Sequence, residues 1–70
     1  MVDEKALLSK IRESGYKLKY IADYLGLSYY GLRLKISGRN DFKASEISKL
    51  AHILKLSQDD IISIFFALRV

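Results

Sequence analysis

Pairs of apolar residues five positions apart occur at five places along the chain, and this spacing constrains the fold more than any other feature. Such a pair, a hydrophobic staple, packs across the first turn of a helix and flanks its N-cap. The pairs are Val2/Leu7, Tyr16/Ile21, Leu27/Leu32, Phe42/Ile47 and Leu56/Ile61. The predicted N-caps are therefore Asp3, Lys17, Ser28, Lys43 and Ser57.

Apolar residues after each cap recur at spacings of three and four, as on one face of a helix. This pattern predicts helices over about 4–14, 18–25, 29–37, 44–54 and 58–68. No segment alternates with period two, and the sequence contains no proline. We expect an all-α fold of five short helices around one core, in a single domain over residues 1–70.

The composition argues against several classes of protein. Half of the 70 residues are hydrophobic, and there is no cysteine, no long apolar run and no signal peptide. His52 is the only histidine, and no carboxylate pair, phosphate-binding glycine loop or His/Cys/Asp cluster is present. We predict a cytoplasmic protein that is not an enzyme and needs no metal, cofactor, small-molecule substrate or membrane.

The positive charge is concentrated in the middle of the chain. The net charge is +4, and residues 15–43 hold six cations against two aspartates, while the remainder is balanced. One-sided charge indicates a polyanionic partner, although it also occurs on a solvated face. Lys17 and Lys43 are poor N-caps because a cation opposes the helix dipole. Either these helix starts are frayed, or both face phosphates, which is the interpretation we favour.

A three-residue connection, "GLS", joins helices 2 and 3, and Gly26 within it can adopt the left-handed conformation of a tight turn. Two short helices joined in this way predict a helix-turn-helix, whose second helix enters the DNA major groove. The segments "IADYLGLS", "LRLKISGR" and "EISKLAHILKLS", with Phe42, resemble the λ-repressor/Cro-like helix-turn-helix family. The resemblance covers about residues 6–62 and is greatest to small phage-type regulators of Gram-positive bacteria.

The resemblance implies a function and roles for individual residues. It implies a sequence-specific transcriptional regulator, of the Cro or repressor type, that binds double-stranded operator DNA in a bacterial host cell. Helix 3 would lie in the major groove, with Tyr29, Tyr30 and Arg33 at the base edges. The predicted phosphate contacts, which include the two lysine N-caps, are Lys17, Lys19, Ser28, Ser37, Arg39, Asn40 and Lys43.

Two departures from the family pattern leave an alternative open. Many members open helix 2 with Thr–Gln, where this chain has Lys17 and Leu18, and carry Gln or Asn where Tyr29 and Tyr30 stand. Tyrosine and arginine are also enriched in protein–protein hot spots. The alternative is a modulator of repression, which binds the DNA-binding domain of a partner repressor with or without DNA. An antitoxin is a third, less favoured interpretation.

The remaining expectations concern aromatic and apolar side chains. Tyr16 is expected in the core, with Tyr20 and Tyr24 leaning on helix 1. Helix 5 is apolar on more than one face and is expected to bury Ile61, Ile62, Phe65 and Phe66. The apolar residues that one buried face does not need predict a homodimer or partner interface at Ile64, Phe65 and Leu68.

Overall fold

The structure, a computed structural model, describes residues 2–66. Within this range it contains five α-helices and no strand. The helices are α1 (Glu4–Ser14), α2 (Leu18–Leu25), α3 (Tyr29–Ile36), α4 (Ala44–Ile53) and α5 (Gln58–Phe65). The predicted all-α fold of five helices is confirmed, with α3, α4 and α5 ending slightly earlier than expected. None of the described helices is long and apolar enough to cross a membrane.

Each helix begins at the residue that the staple pattern predicts. The hydroxyls of Ser28 and Ser57 accept the N–H three residues on, at 2.9 and 3.0 Å, and the carboxylate of Asp3 does the same at 3.1 Å. Lys17 and Lys43 occupy the N-cap positions of α2 and α4 without a capping bond from the side chain. The starts of α2 and α4 are therefore built without the stabilisation that a serine or aspartate cap provides.

One apolar core holds the five helices together. Each helix contributes one large side chain that is almost completely buried: Leu7, Ile21, Leu32, Leu50 and Ile64. Burying a side chain of this size stabilises the fold by about 1.5–3 kcal/mol. Phe42, in the loop before α4, meets Phe65 of α5 edge to face, with ring centroids 5.5 Å apart. The loop after α3 is thereby anchored to the same core.

The inward face of α5 differs from the prediction. Ile64 and Phe65 are only 1% and 5% exposed, so their assignment to a dimer or partner interface is wrong. These two side chains belong to the core, and α5 packs against α1 and α4. Ile62 and Phe66 were expected inside but are 57% and 56% exposed. Leu68, the third predicted interface residue, lies outside the described residues.

The tyrosines of the α2 region are more exposed than expected. Tyr16 is 43% exposed rather than in the core, and its ring stacks on that of Tyr20 with centroids 5.1 Å apart. Tyr20 and Tyr24 border a depression that they share with His52 and Lys55, so this row faces the end of α4. This row therefore forms an aromatic surface on the flank of the molecule.

Candidate functional site

The short connection between α2 and α3 determines how α3 is presented. Gly26 ends α2 in the left-handed region, with φ of 74°, and the next N–H, of Leu27, returns to the carbonyl of Ala22 at 2.8 Å. Only residues 26–28 separate the two helices. Leu25 and Leu32 are buried on either side of this turn. Packing and hydrogen bonding thus fix α3 against α2.

The outer face of α3 carries the three residues predicted to read bases. Leu32 and Ile36 face the core, whereas Tyr29 and Tyr30 are 48% and 69% exposed and Arg33 is also exposed. The basis of the sequence prediction, an outward aromatic and cationic face on this helix, is therefore present in the fold.

Tyr29 and Arg33 are in direct contact on this face. The Arg33 Nη1 donates a hydrogen bond to the Tyr29 hydroxyl at 3.2 Å. The guanidinium carbon lies 5.8 Å from the centroid of the same ring, within the range of a cation–π contact. The two side chains therefore form one unit four residues apart along the helix.

The seven residues predicted to contact phosphates are all exposed: Lys17, Lys19, Ser28, Ser37, Arg39, Asn40 and Lys43. The fold brings Ser37 and Arg39 to the same groove as Tyr29, Tyr30 and Arg33. Lys17 and Lys19 lie at the start of α2, Ser28 caps α3, Asn40 follows in the loop, and Lys43 precedes α4. None of these last five residues lines the groove.

A groove beside α3 was not foreseen from the sequence. It has a volume of about 650 Å³ and is lined by leucines as well as by the arginines and tyrosines. Leu8 of α1, Leu18 of α2 and Leu34 of α3 provide its apolar lining, and Glu4 provides a carboxylate. The relative placement of three helices creates this groove, so no local sequence pattern signals it.

Lys35 is unavailable to a partner because it belongs to a buried ion pair. Its Nζ lies 2.6 Å from Glu46 Oε1, and the two side chains are only 12% and 8% exposed. The same oxygen accepts the backbone N–H of Lys43 at 2.8 Å. Glu46 therefore connects α3 to the start of α4. One of the six cations of residues 15–43 is neutralised in this way.

The environment of Glu46 lowers the pKa of its carboxyl group. Burial raises the pKa, but the hydrogen bonds from Lys35 and from the Lys43 backbone, with the charges of both lysines, outweigh it. Glu46 is therefore ionised in the folded protein at neutral pH. Its position three residues after an N-cap was the one sequence signal that could have identified it.

Neither a protein-family model, nor a curated protein, nor a solved structure matches this chain. Between residues 2 and 66, no group of three or more His, Cys, Asp or Glu side chains is placed to hold a metal ion.

Proposed function

We propose that this protein is a small sequence-specific DNA-binding regulator of transcription, of the Cro or repressor type. In this proposal α2 and α3 form the helix-turn-helix of a λ-repressor-like domain. Helix α3 enters the major groove of operator DNA, and Tyr29, Tyr30 and Arg33 meet the base edges.

One observation carries the proposal: α3 turns Tyr29, Tyr30 and Arg33 outward immediately after a tight turn from α2. Exposed cations lie on either side of α3 along the chain, with Lys17 and Lys19 before it and Arg39 after it. Cations around a protruding helix match a duplex, in which phosphates border the base edges. Phosphate contacts fix the register, and the contacts of α3 provide specificity.

The proposal is tested by measuring the affinity for duplexes from the region around the gene over a range of salt concentrations. Arg33→Ala is expected to weaken a specific site by about 1–3 kcal/mol. Lys19→Ala is expected to weaken all sequences alike and to lower the slope of log affinity against log salt by about one. Lys49→Ala, which removes the same charge from the exposed face of α4, serves as the matched control. Binding that does not depend on salt, or no binding to any duplex, would contradict the proposal.

A second function is favoured by the lining of the groove beside α3. Leu8, Leu18 and Leu34 offer apolar surface that base edges and phosphates do not complement. A protein segment with apolar and acidic side chains matches this lining and the two arginines beside it. The alternative is therefore a modulator of repression that binds the DNA-binding domain of a partner repressor through this groove.

The two functions are separated by a gel shift with and without the repressor encoded nearby. Leu34→Gln alters the groove, whereas Tyr30→Ala alters both the groove and the α3 face. If the protein is a modulator, Leu34→Gln abolishes the joint complex. If it acts alone on DNA, Leu34→Gln leaves affinity unchanged and Tyr30→Ala reduces it.

A homodimer completes the proposal for DNA binding. Single small modules bind DNA weakly, and dimers reach two half-sites one helical turn apart. Ile62 in α5 and Phe66, the residue that follows the helix, are four positions apart and are both more than half exposed. This pair replaces Ile64 and Phe65 as the proposed dimer contact.

A further inference from the structure

Arg33 is the cation of α3 that remains available to a ligand. The helix carries two cations, Arg33 and Lys35, and Glu46 holds the ammonium group of Lys35 at 2.6 Å. Arg33 forms no ion pair with any carboxylate of residues 2–66, and its side chain is exposed. The guanidinium is therefore accessible to a ligand that approaches α3.

Tyr29 holds this guanidinium without neutralising it. The hydroxyl accepts one N–H of Arg33 at 3.2 Å, and the aromatic ring attracts the cation at 5.8 Å. A guanidinium has five N–H donors in a planar fork, so a single bond to Tyr29 leaves the others for a second partner. The side chain is also partly ordered in advance, which reduces the entropy lost on binding.

The planar fork matches a partner with two adjacent acceptors. In DNA these are O6 and N7 of guanine or two oxygens of one phosphate. Arg33 lies one turn into α3, and the first turns of a recognition helix face the base edges. Lys17 precedes α2 and Arg39 lies in the loop after α3, so neither belongs to the face of this helix. The position of Arg33 therefore favours guanine.

We propose that Arg33 reads a guanine in the major groove and that Tyr29 positions its guanidinium for this contact. The inference rests on the proposed DNA-binding function and adds to it the identity of one base. Tyr29 acts here through Arg33, as a positioning residue. Its hydroxyl sets the direction in which the remaining N–H groups point.

The test is a selection of duplexes from a random pool by the wild type and three variants. The wild-type pool is expected to share a guanine at one position of each half-site. In Arg33→Ala the preference for guanine over adenine at that position should fall by about 5- to 150-fold. The preferences at the other positions should not change. Tyr29→Phe keeps the ring but removes the hydroxyl, and it lowers the same preference by about 2- to 12-fold.

Tyr20→Phe is the matched control because it removes the hydroxyl of an exposed tyrosine on the flank of α2, outside the proposed site, which accepts no bond from Arg33. This variant is expected to keep the preference for guanine. The melting temperature and the salt slope of Tyr29→Phe are expected to equal those of the wild type. A merely structural role of Tyr29 would change the melting temperature and leave the base preference intact, and that result would overturn its assignment.

Modified duplexes separate guanine from phosphate as the partner of Arg33. Replacing the selected guanine by 7-deazaguanine removes N7 and is expected to weaken the wild type about 5-fold without affecting Arg33→Ala. Two results together would overturn the inference. The first is that 7-deazaguanine does not change the affinity of the wild type. The second is that an uncharged methylphosphonate beside the site makes the affinities of the wild type and Arg33→Ala equal. In that case Arg33 binds phosphate and the proposed function stands. A pool without any enriched duplex overturns the proposed function itself.

Discussion

Glu46 shows how much a single side chain can determine in a domain of this size. It is the one charged residue within 2–66 that is buried, and one of its oxygens accepts hydrogen bonds from two lysines of different elements. A buried charge is tolerated only when it is paired and hydrogen-bonded, and both conditions hold here. The end of the proposed recognition helix is thereby fixed relative to α4.

Glu46→Gln is predicted to destabilise the fold by about 1–3 kcal/mol at neutral pH, because Lys35 loses its counter-charge while remaining largely buried. The folded-state pKa of Glu46 lies below its ordinary value of 4.5. Its contribution to stability is therefore fully present above about pH 4.5 and is lost as the pH falls through the lowered pKa. The variant should accordingly lose less stability on acidification than the wild type.

Urea unfolding at a series of pH values measures this difference. Asp41→Asn is the control, since Asp41 is exposed and forms no ion pair within the described part of the chain. Some acid dependence should persist in Glu46→Gln. The hydrogen bond from the Ser57 backbone to Asp60, aided by Lys10, lowers the pKa of that carboxyl group too. Identical acid dependence in Glu46→Gln and the wild type would refute the role assigned to Glu46.

At the scale of elements, the start of α2 combines poor capping with a position useful for binding. Lys17 holds an N-cap position with an extended backbone but makes no capping bond. Its ammonium group also opposes the positive end of the helix dipole. The same ammonium, beside free N–H groups of a helix, suits a phosphate. We interpret the poor cap as a loss of stability that binding offsets.

Lys17→Ser is predicted to raise the stability of the protein by about 0.5–2 kcal/mol, because serine caps the helix. It should also weaken binding to every duplex and lower the salt slope by about one. Lys19→Ser removes the same charge at the second residue of α2, where serine cannot act as the N-cap. It should therefore reduce affinity without the gain in stability. Thermal melts and affinity titrations measure both effects. If Lys17→Ser binds as tightly as the wild type, Lys17 contacts no phosphate.

At the scale of the whole molecule, the fold exposes two sets of side chains that could contact partners, one at α3 and one at the end of α5. The groove beside α3 is lined by residues of α1, α2, α3 and the loop after α3, and the exposed Ile62 and Phe66 are not among them. The proposed twofold dimer through Ile62 and Phe66 requires each α3 face to stay uncovered. Such an assembly presents two copies of the site to one duplex.

Ile62→Gln is predicted to convert a dimer into a monomer. The chain should stay folded, because Ile62 is 57% exposed and is not one of the core residues. The loss of paired half-sites should lower the affinity for an operator while leaving the salt dependence per molecule unchanged. Sedimentation analysis over a range of concentrations measures the mass. Tyr20→Gln, which removes exposed apolar surface on the α2 flank, should remain dimeric. A wild type that stays monomeric at all concentrations would refute this interface.

The sequence predicted the local features of this molecule and missed those that depend on distant contacts. Caps and staples involve residues a few positions apart, so all five helix starts were correct. The buried face of α5 was predicted wrongly because this segment has apolar residues on more than one face. Which of them are buried depends on the helices that pack against α5. The pair of Lys35 and Glu46 joins residues eleven positions apart in two helices. The groove beside α3 likewise depends on where α1 lies.

The distribution of tyrosines gives this molecule a built-in optical signal. The chain has five tyrosines and no tryptophan, so its near-ultraviolet emission comes from phenols alone. Tyr16 and Tyr20 stack on the flank, while Tyr29 and Tyr30 stand on α3. A ligand that covers α3 should quench the second pair and spare the first. Comparing Tyr29→Phe with Tyr20→Phe in an unlabelled titration would therefore reveal which side of the protein a partner occupies.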